Sequence, residues 1–176
     1  MSQIKVNSIV PVAGLSGGAS GGIIQLVTTT KTDTFSTSAT SPTTVTGMSL
    51  TITPQSASNK IIVFCQISGG ADTRYNAFKM QRGTTDLAIA DADGVRTRAC
   101  FTSQTNPSAG DDTAVLRGMG MHWCDTPNTT SATTYNLKAW IPYGSATVMV
   151  NRCTNGSNET YHIRGISTMT VLEVSG

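Results

Sequence analysis

The sequence predicts an all-β fold, an antiparallel two-sheet sandwich of jelly-roll type with an extended N-terminal segment ahead of it. Short apolar runs rich in β-branched residues recur with alternate-residue periodicity, and turn residues separate most of them at about 8–12-residue spacing. No long window repeats its apolar residues every 3.6 positions, and the abundance of Thr, Val and Ile disfavours helix throughout. A repeat of fixed length is also missing, which argues against a propeller or a solenoid.

The elements follow in order. Ile4 to Val12 carries Ile4, Val6, Ile9, Val10 and Val12 and reads as one short extended segment. Nine residues in extended form span at most about 30 Å and enclose no core, so these side chains must be buried against another body. Residues 1–13 are therefore expected to attach the chain, residues 14–22 to form a Gly-rich linker, and residues 23–176 to fold as the sandwich head. Within the head, Ile23 to Val27 runs into Thr28–Thr30, Val45 to Thr53 alternates Met48, Leu50 and Ile52, and Ile61 to Ile67 is almost wholly apolar; all three read as strands. Further strands are expected over Arg74–Arg82, Asp86–Ala90, Thr97–Thr102, Ala114–Cys124, Thr133–Ile141, Thr147–Cys153 and Ile166–Val174. The turns expected between them are Gly69-Gly70, Arg82-Gly83, Asp93-Gly94, Asn106-Pro107, Thr126-Pro127-Asn128, Tyr143-Gly144 and Asn155-Gly156.

Composition narrows the function. Charged residues make up 12% of the 176 residues and the formal net charge is +2, with no run of Lys or Arg to neutralise several phosphates together, so nucleic acid is not an expected partner. No stretch approaches the ~18 apolar residues of a membrane span. The N-terminus lacks the apolar core of a secretory signal, so synthesis is expected in the cytoplasm, with Cys65, Cys100, Cys124 and Cys153 as free thiols. The sequons at Asn128, Asn155 and Asn158 then mark polar loops rather than glycans.

Four motifs invite chemistry, and each has a plainer reading. Gly14-Leu15-Ser16-Gly17-Gly18 matches the G-x-S-x-G of a nucleophile elbow, but more Gly and Ser follow where that elbow requires a helix, so the stretch reads as a linker. His122 and Cys124 lie two apart on an expected strand and share a face; without a C-x-x-C partner, Cys124 reads as core or subunit contact and His122 as hydrogen-bonded nearby, with no metal and no cofactor expected. Asp91-Ala92-Asp93-Gly94 lacks the remaining acidic positions of a calcium loop and reads as a turn. Arg96 and Arg98 would share one strand face and are candidate contacts to carboxylates of a neighbouring subunit. Trp123 and Trp140 are expected in the core, whereas Tyr143 and Tyr161 lie near loops and are candidates for surface recognition. No pair of carboxylates stands out for glycoside cleavage, and the chain is not expected to be an enzyme.

Ile4-Lys5-Val6-Asn7-Ser8-Ile9, the Gly-rich joint, Gly21-Gly22-Ile23-Ile24-Gln25 and Lys31-Thr32-Asp33-Thr34-Phe35-Ser36-Thr37 together resemble small virion proteins of tailed phages, especially those of marine and cyanobacterial hosts. The resemblance continues through Ser58-Asn59-Lys60-Ile61, Arg82-Gly83 and Ile166-Ser167-Thr168-Met169-Thr170. It implies a tail-fibre or fibre-like virion component, a homotrimer docked through its N-terminal strand, presenting a β-rich head to a host surface glycan. A capsid decoration or head-fibre protein would use the same two parts, and a carbohydrate-active enzyme is the reading from another class.

Overall fold

The computed structural model describes residues 22–72, 75–103 and 116–176. The attachment residues Ile4, Val6, Ile9, Val10 and Val12, most of the linker and the turn at Asn106-Pro107 lie outside them. The described residues form ten strands: β1 (Ile23–Lys31), β2 (Phe35–Thr37), β3 (Thr43–Ile52), β4 (Lys60–Ala71), β5 (Ala77–Arg82), β6 (Thr85–Leu87), β7 (Arg117–Asp125), β8 (Thr133–Trp140), β9 (Val148–Val150) and β10 (Ser167–Val174).

All pairings between them are antiparallel. In sheet A, β10 lies between β1 and β4, β7 covers the other edge of β4, and the short strands β2 and β9 extend the sheet past the ends of β1 and β10. Sheet B runs β3-β8-β5-β6. The long-range pairs are thus nested along the chain, β1 with β10, β3 with β8, β4 with β7 and β5 with β6. A hairpin rolled across two sheets gives that order, and it is a jelly roll.

Alternation accounts for the core. Ile61, Val63, Cys65 and Ile67 of β4 and Met169 and Val171 of β10 point inward from sheet A, and they meet Met48, Leu50 and Ile52 of β3, Tyr135 and Leu137 of β8, and Phe78 and Met80 of β5. Two polar clusters lock the edges. Arg82 Nη1 donates to both carboxylate oxygens of buried Asp125 at 2.8 Å, and the Tyr135 hydroxyl donates to the same carboxylate at 2.7 Å. Fully buried Glu173 accepts from Gln25 Nε2 (2.5 Å), Asn59 Nδ2 (2.6 Å) and the Gln55 N–H (2.7 Å), tying β1 and the β3–β4 connection to β10.

Several expectations need correction. Gly69-Gly70 is not a turn, since β4 continues through both to Ala71. At this point β9 succeeds β10 as the neighbour of β4, and a Cβ on Gly69 would stand 2.7 Å from Met119 Cε, so glycine here serves close packing inside a strand. The strand expected at Thr97–Thr102 is absent; the chain from residue 88 to residue 100 is loop, followed by a single bridge between Phe101 and Phe78. β2 escapes prediction because three residues carry too little alternation to register.

Candidate functional site

The end of β9 organises a cleft. Asn151 follows Val150 with φ of 63°, a left-handed conformation that asparagine tolerates better than most residues, and it is completely buried. Its Nδ2 donates to Lys31 O (2.7 Å) and Asp33 O (2.9 Å), its Oδ1 accepts from Ser167 Oγ (2.6 Å), and its N–H donates to Ser68 O (2.7 Å). Its own carbonyl accepts from the Gly165 N–H and from Arg164 Nε. One residue thereby ties the ends of β1, β4 and β10, and the backbone strain is held by surroundings that over-determine it. Gly165 has no alternative, because a Cβ there would lie 2.6 Å from Ser68 Cβ.

This knot fixes two arginines. Arg152 and Arg164 face each other in an isolated antiparallel bridge, and both line a cleft of about 190 Å³ together with Thr34, Asn155, Asn158 and Glu159. Hydrogen bonds to main-chain carbonyls orient each guanidinium: Arg152 Nε and Nη2 donate to Cys153 O and Thr154 O, and Arg164 Nε donates to Asn151 O. Among the described residues neither arginine has a carboxylate within ion-pair distance. Nearby, Asp33 is engaged by Lys31 at 2.8 Å, and that hydrogen bond holds its carboxyl below the ordinary value. His162, on the cleft wall, shares a hydrogen bond with Ser157 Oγ and meets the Tyr161 ring edge-on at 4.5 Å. The buried Thr154 hydroxyl, next in the chain to Cys153, has no hydrogen-bond partner among the described residues.

The two outer sheet faces differ sharply. On sheet B, Thr51 meets Thr134 (2.8 Å), Ser49 donates to Asn136 (2.7 Å), Lys138 donates to Thr44, and Asp86 accepts from Lys79 and Gln81. That surface satisfies itself and water. On sheet A the register aligns Leu26, Leu172, Ile62 and Cys124 in one row across four strands, with Phe64 in the adjacent row. Leu26 is 57% exposed and Phe64 47%. Between Phe64, Gln66, His122, Thr168 and Thr170, where Gly120 contributes no side chain, lies a shallow hollow of about 260 Å³.

Register also gives the head two poles. The first residue of β1, Ile23, pairs with Val174 near the C-terminus, while its last, Lys31, pairs with Ser167 beside the arginine cleft. The eight residues of β10 run from one end to the other, roughly 23 Å.

The residues singled out from sequence scatter over this framework. Tyr161 (63% exposed) stands beside the cleft through His162, whereas Tyr143 (71% exposed) packs edge-on against Tyr75 at 5.2 Å in a different loop. Arg96 is ion-paired with Asp93 of its own chain and Arg98 Nε donates to Ala90 O, both in the exposed 88–100 loop rather than on a strand face. Cys124 shares a face with His122 as expected but is exposed and not in the core, and the His122 ring lies 6.5 Å from that of Phe64, with no hydrogen-bond partner among the described residues. Trp123 is 42% exposed on an edge strand, a correction to its core assignment; Trp140 is buried outside the main apolar cluster, with Lys79 Nζ 5.6 Å from its ring centroid. Among the described residues no three His, Cys, Asp or Glu side chains converge as a metal site. Arg152 and Arg164 were not marked by sequence, although the polar loop that carries them contains two of the three sequons, and Asn155 and Asn158 line the cleft. No family model matches the chain, and no curated protein matches it.

Proposed function

We propose that the chain is a structural component of a tailed-phage virion, of tail-fibre type, that docks through residues 1–13, assembles as a homotrimer through the outer face of sheet A, and presents its head to a host surface. The reading treats the head as a binding and assembly module without catalysis. The contrast between the two outer faces carries it. A sandwich whose sheet B is dressed for water yet whose sheet A displays Leu26, Leu172, Ile62 and Phe64 in adjoining rows has one face suited to burial.

The occupant argued here is a second copy of the chain. Lys60, His122 and the Cys124 thiol are the titratable side chains that share this face with the apolar rows, so two copies would approach with little charge to desolvate. Four strands and seven residue positions cover roughly 450 Å² in projection, short of the ~800 Å² that each partner buries in a standard interface. A second, different patch is required, and edge strand β7 offers one with half-exposed Trp123. Two unlike patches make a heterologous contact, which forms a ring where the rotation between copies closes and an open filament where it does not, and three copies make the smallest such ring. The cleft supports binding in preference to glycoside cleavage, since it gathers one carboxylate, Glu159, beside two guanidinium groups.

Sedimentation of the full chain tests the assembly, and electron microscopy of particles carrying a labelled copy tests the location. The expected results are trimers and label at the tail. A chain beginning at Ile23 should remain trimeric and fail to enter particles. Label spread over the capsid lattice would replace the tail-fibre reading with capsid decoration or a head fibre, and a monomeric full chain would overturn the assembly.

A further inference from the structure

Like charges placed directly opposite each other across two strands oppose the pairing, so the bridge between Arg152 and Arg164 stands against their mutual repulsion and leans on the main-chain carbonyls that each guanidinium meets. The two meet with no carboxylate at ion-pair distance among the described residues, Asp33 attracting Arg164 from farther off and Glu159 lining the same cleft, on a backbone that Asn151 and Gly165 hold rigidly. Each guanidinium commits some of its five N–H groups to main-chain carbonyls and keeps others for the cleft. Around them stand neutral groups that exchange hydrogen bonds with hydroxyls, Thr34, Asn155, Ser157 and Asn158, and the cleft of about 190 Å³ is smaller than a drug-sized pocket. Two fixed cations among hydroxyl-matching groups specify a small ligand with one anionic group and several hydroxyls.

We propose that this cleft binds an acidic sugar, a residue of uronic-acid type within a surface polysaccharide, with its carboxylate held between Arg152 and Arg164. A carboxylate accepts two parallel N–H bonds from a guanidinium, which fixes orientation as well as charge. Glu159, which also lines the cleft, accepts from sugar hydroxyls and disfavours ligands of higher negative charge such as phosphate. The exposed Tyr161 ring beside His162 supplies an apolar surface for a sugar face. The inference rests on reading the head as a surface-recognition module, and it names the chemistry that is recognised.

The test titrates the full-length assembled protein with a galacturonate oligosaccharide, the matching uncharged galactose oligosaccharide, acetate and inorganic phosphate, followed by calorimetry or NMR. Galacturonate should bind best, and Arg164→Gln or Arg152→Gln should weaken it about ten- to hundredfold, the worth of one charge-assisted contact. Arg164→Lys keeps the charge, loses the fork, and should still weaken binding. Melting temperatures of the Gln variants should fall by only a few degrees, because each loses one or two main-chain hydrogen bonds while the repulsion between the arginines is relieved, and this separates lost binding from lost fold. Equal binding of uncharged sugar, phosphate or acetate competing as well as galacturonate, or wild-type affinity in both Gln variants would each overturn the proposal. Protein that trimerises and enters particles yet binds no galacturonate refutes the inference and leaves the virion reading intact. Galacturonate binding by a chain that never enters particles does the reverse.

Discussion

Replacing Glu173 with Gln keeps the shape of the side chain and removes its charge, at a position where three donors converge on two carboxylate oxygens. Asn59 Nδ2 and the Gln55 N–H share Oε1, and Gln25 Nε2 takes Oε2. A glutamine serves the first oxygen and then directs its own amide N–H₂ at Gln25 Nε2. Gln25 cannot turn its amide over to help, because its Nε2 also donates to Thr53 O at 2.7 Å. One charge-assisted bond worth about 1.5–3 kcal/mol is lost, and two more fall to neutral strength at about 1 kcal/mol each. The expected destabilisation is about 3 kcal/mol or more, which lowers the melting temperature by roughly 6–12 °C for a domain of this size. The pH dependence has a definite sign. Burial opposes ionisation of Glu173, but the bonds from Asn59, Gln25 and the backbone outweigh it and hold the carboxyl below its ordinary 4.5. The charge therefore stabilises the fold fully above that value and progressively less as pH falls through the lowered folded value. Thermal denaturation of wild type and Glu173→Gln, at equal concentration, should differ at pH 7 and converge toward pH 2. A difference below about 1 kcal/mol at pH 7, or one that persists unchanged in acid, would refute the reasoning.

Other outcomes follow from the same contacts. Asp125→Ala should cost about 3–5 kcal/mol in denaturant unfolding, since it strands Arg82 and the buried Tyr135 hydroxyl together. Asn151→Ala should destabilise by about 3 kcal/mol, combining left-handed strain with lost hydrogen bonds, and should weaken ligand binding in the arginine cleft as well. Leu26→Glu and Ile62→Glu should convert trimers to folded monomers, as read by sedimentation with unchanged circular dichroism. Native-state alkylation should spare Cys65, whose thiol is pushed up to about 12 by burial and by the nearby Cys100, together with buried Cys153; it should modify Cys124 rapidly in monomers and slowly in trimers.

What the sequence made legible was the property that strands write locally. Ile61 to Ile67 and Ile166 to Val174 announce themselves because alternation and β-branching act on neighbouring residues. The nested pairing that makes a jelly roll is non-local, and turn spacing constrained it without determining it. Gly69-Gly70 misled because glycine marks both a turn and a crowded strand, and only the approach of Met119 distinguishes the two. Trp123 misled because an edge strand leaves half a side chain uncovered however apolar it is. The cleft was invisible for a stronger reason: Arg152 and Arg164 are twelve residues apart, and nothing local predicts that the 153–163 loop returns the chain so that they meet.

The polarity of the head joins these parts into one mechanism. β1 starts at the pole where the described chain begins and ends at the pole that holds the arginine cleft, so on the proposed reading attachment and recognition would be separated by the length of the sheet. If the three copies pack around an axis parallel to those strands, all N-terminal segments leave from one end and all three clefts open at the other. A single small cleft with one carboxylate contact binds weakly, in the regime where dissociation is fast. A polysaccharide repeats its acidic sugar, however, and three clefts on a rigid trimer meet it with an effective concentration set by geometry, which raises overall affinity by about 10²–10⁴ without any new contact. The apolar face of sheet A would then set the strength of surface attachment through valency, although it touches no sugar. Leu26→Glu should accordingly leave the affinity for a single galacturonate unit unchanged and abolish retention on the polymer, whereas Arg164→Gln should weaken both. Equal retention of monomer and trimer on the polymer would break the link between assembly and recognition.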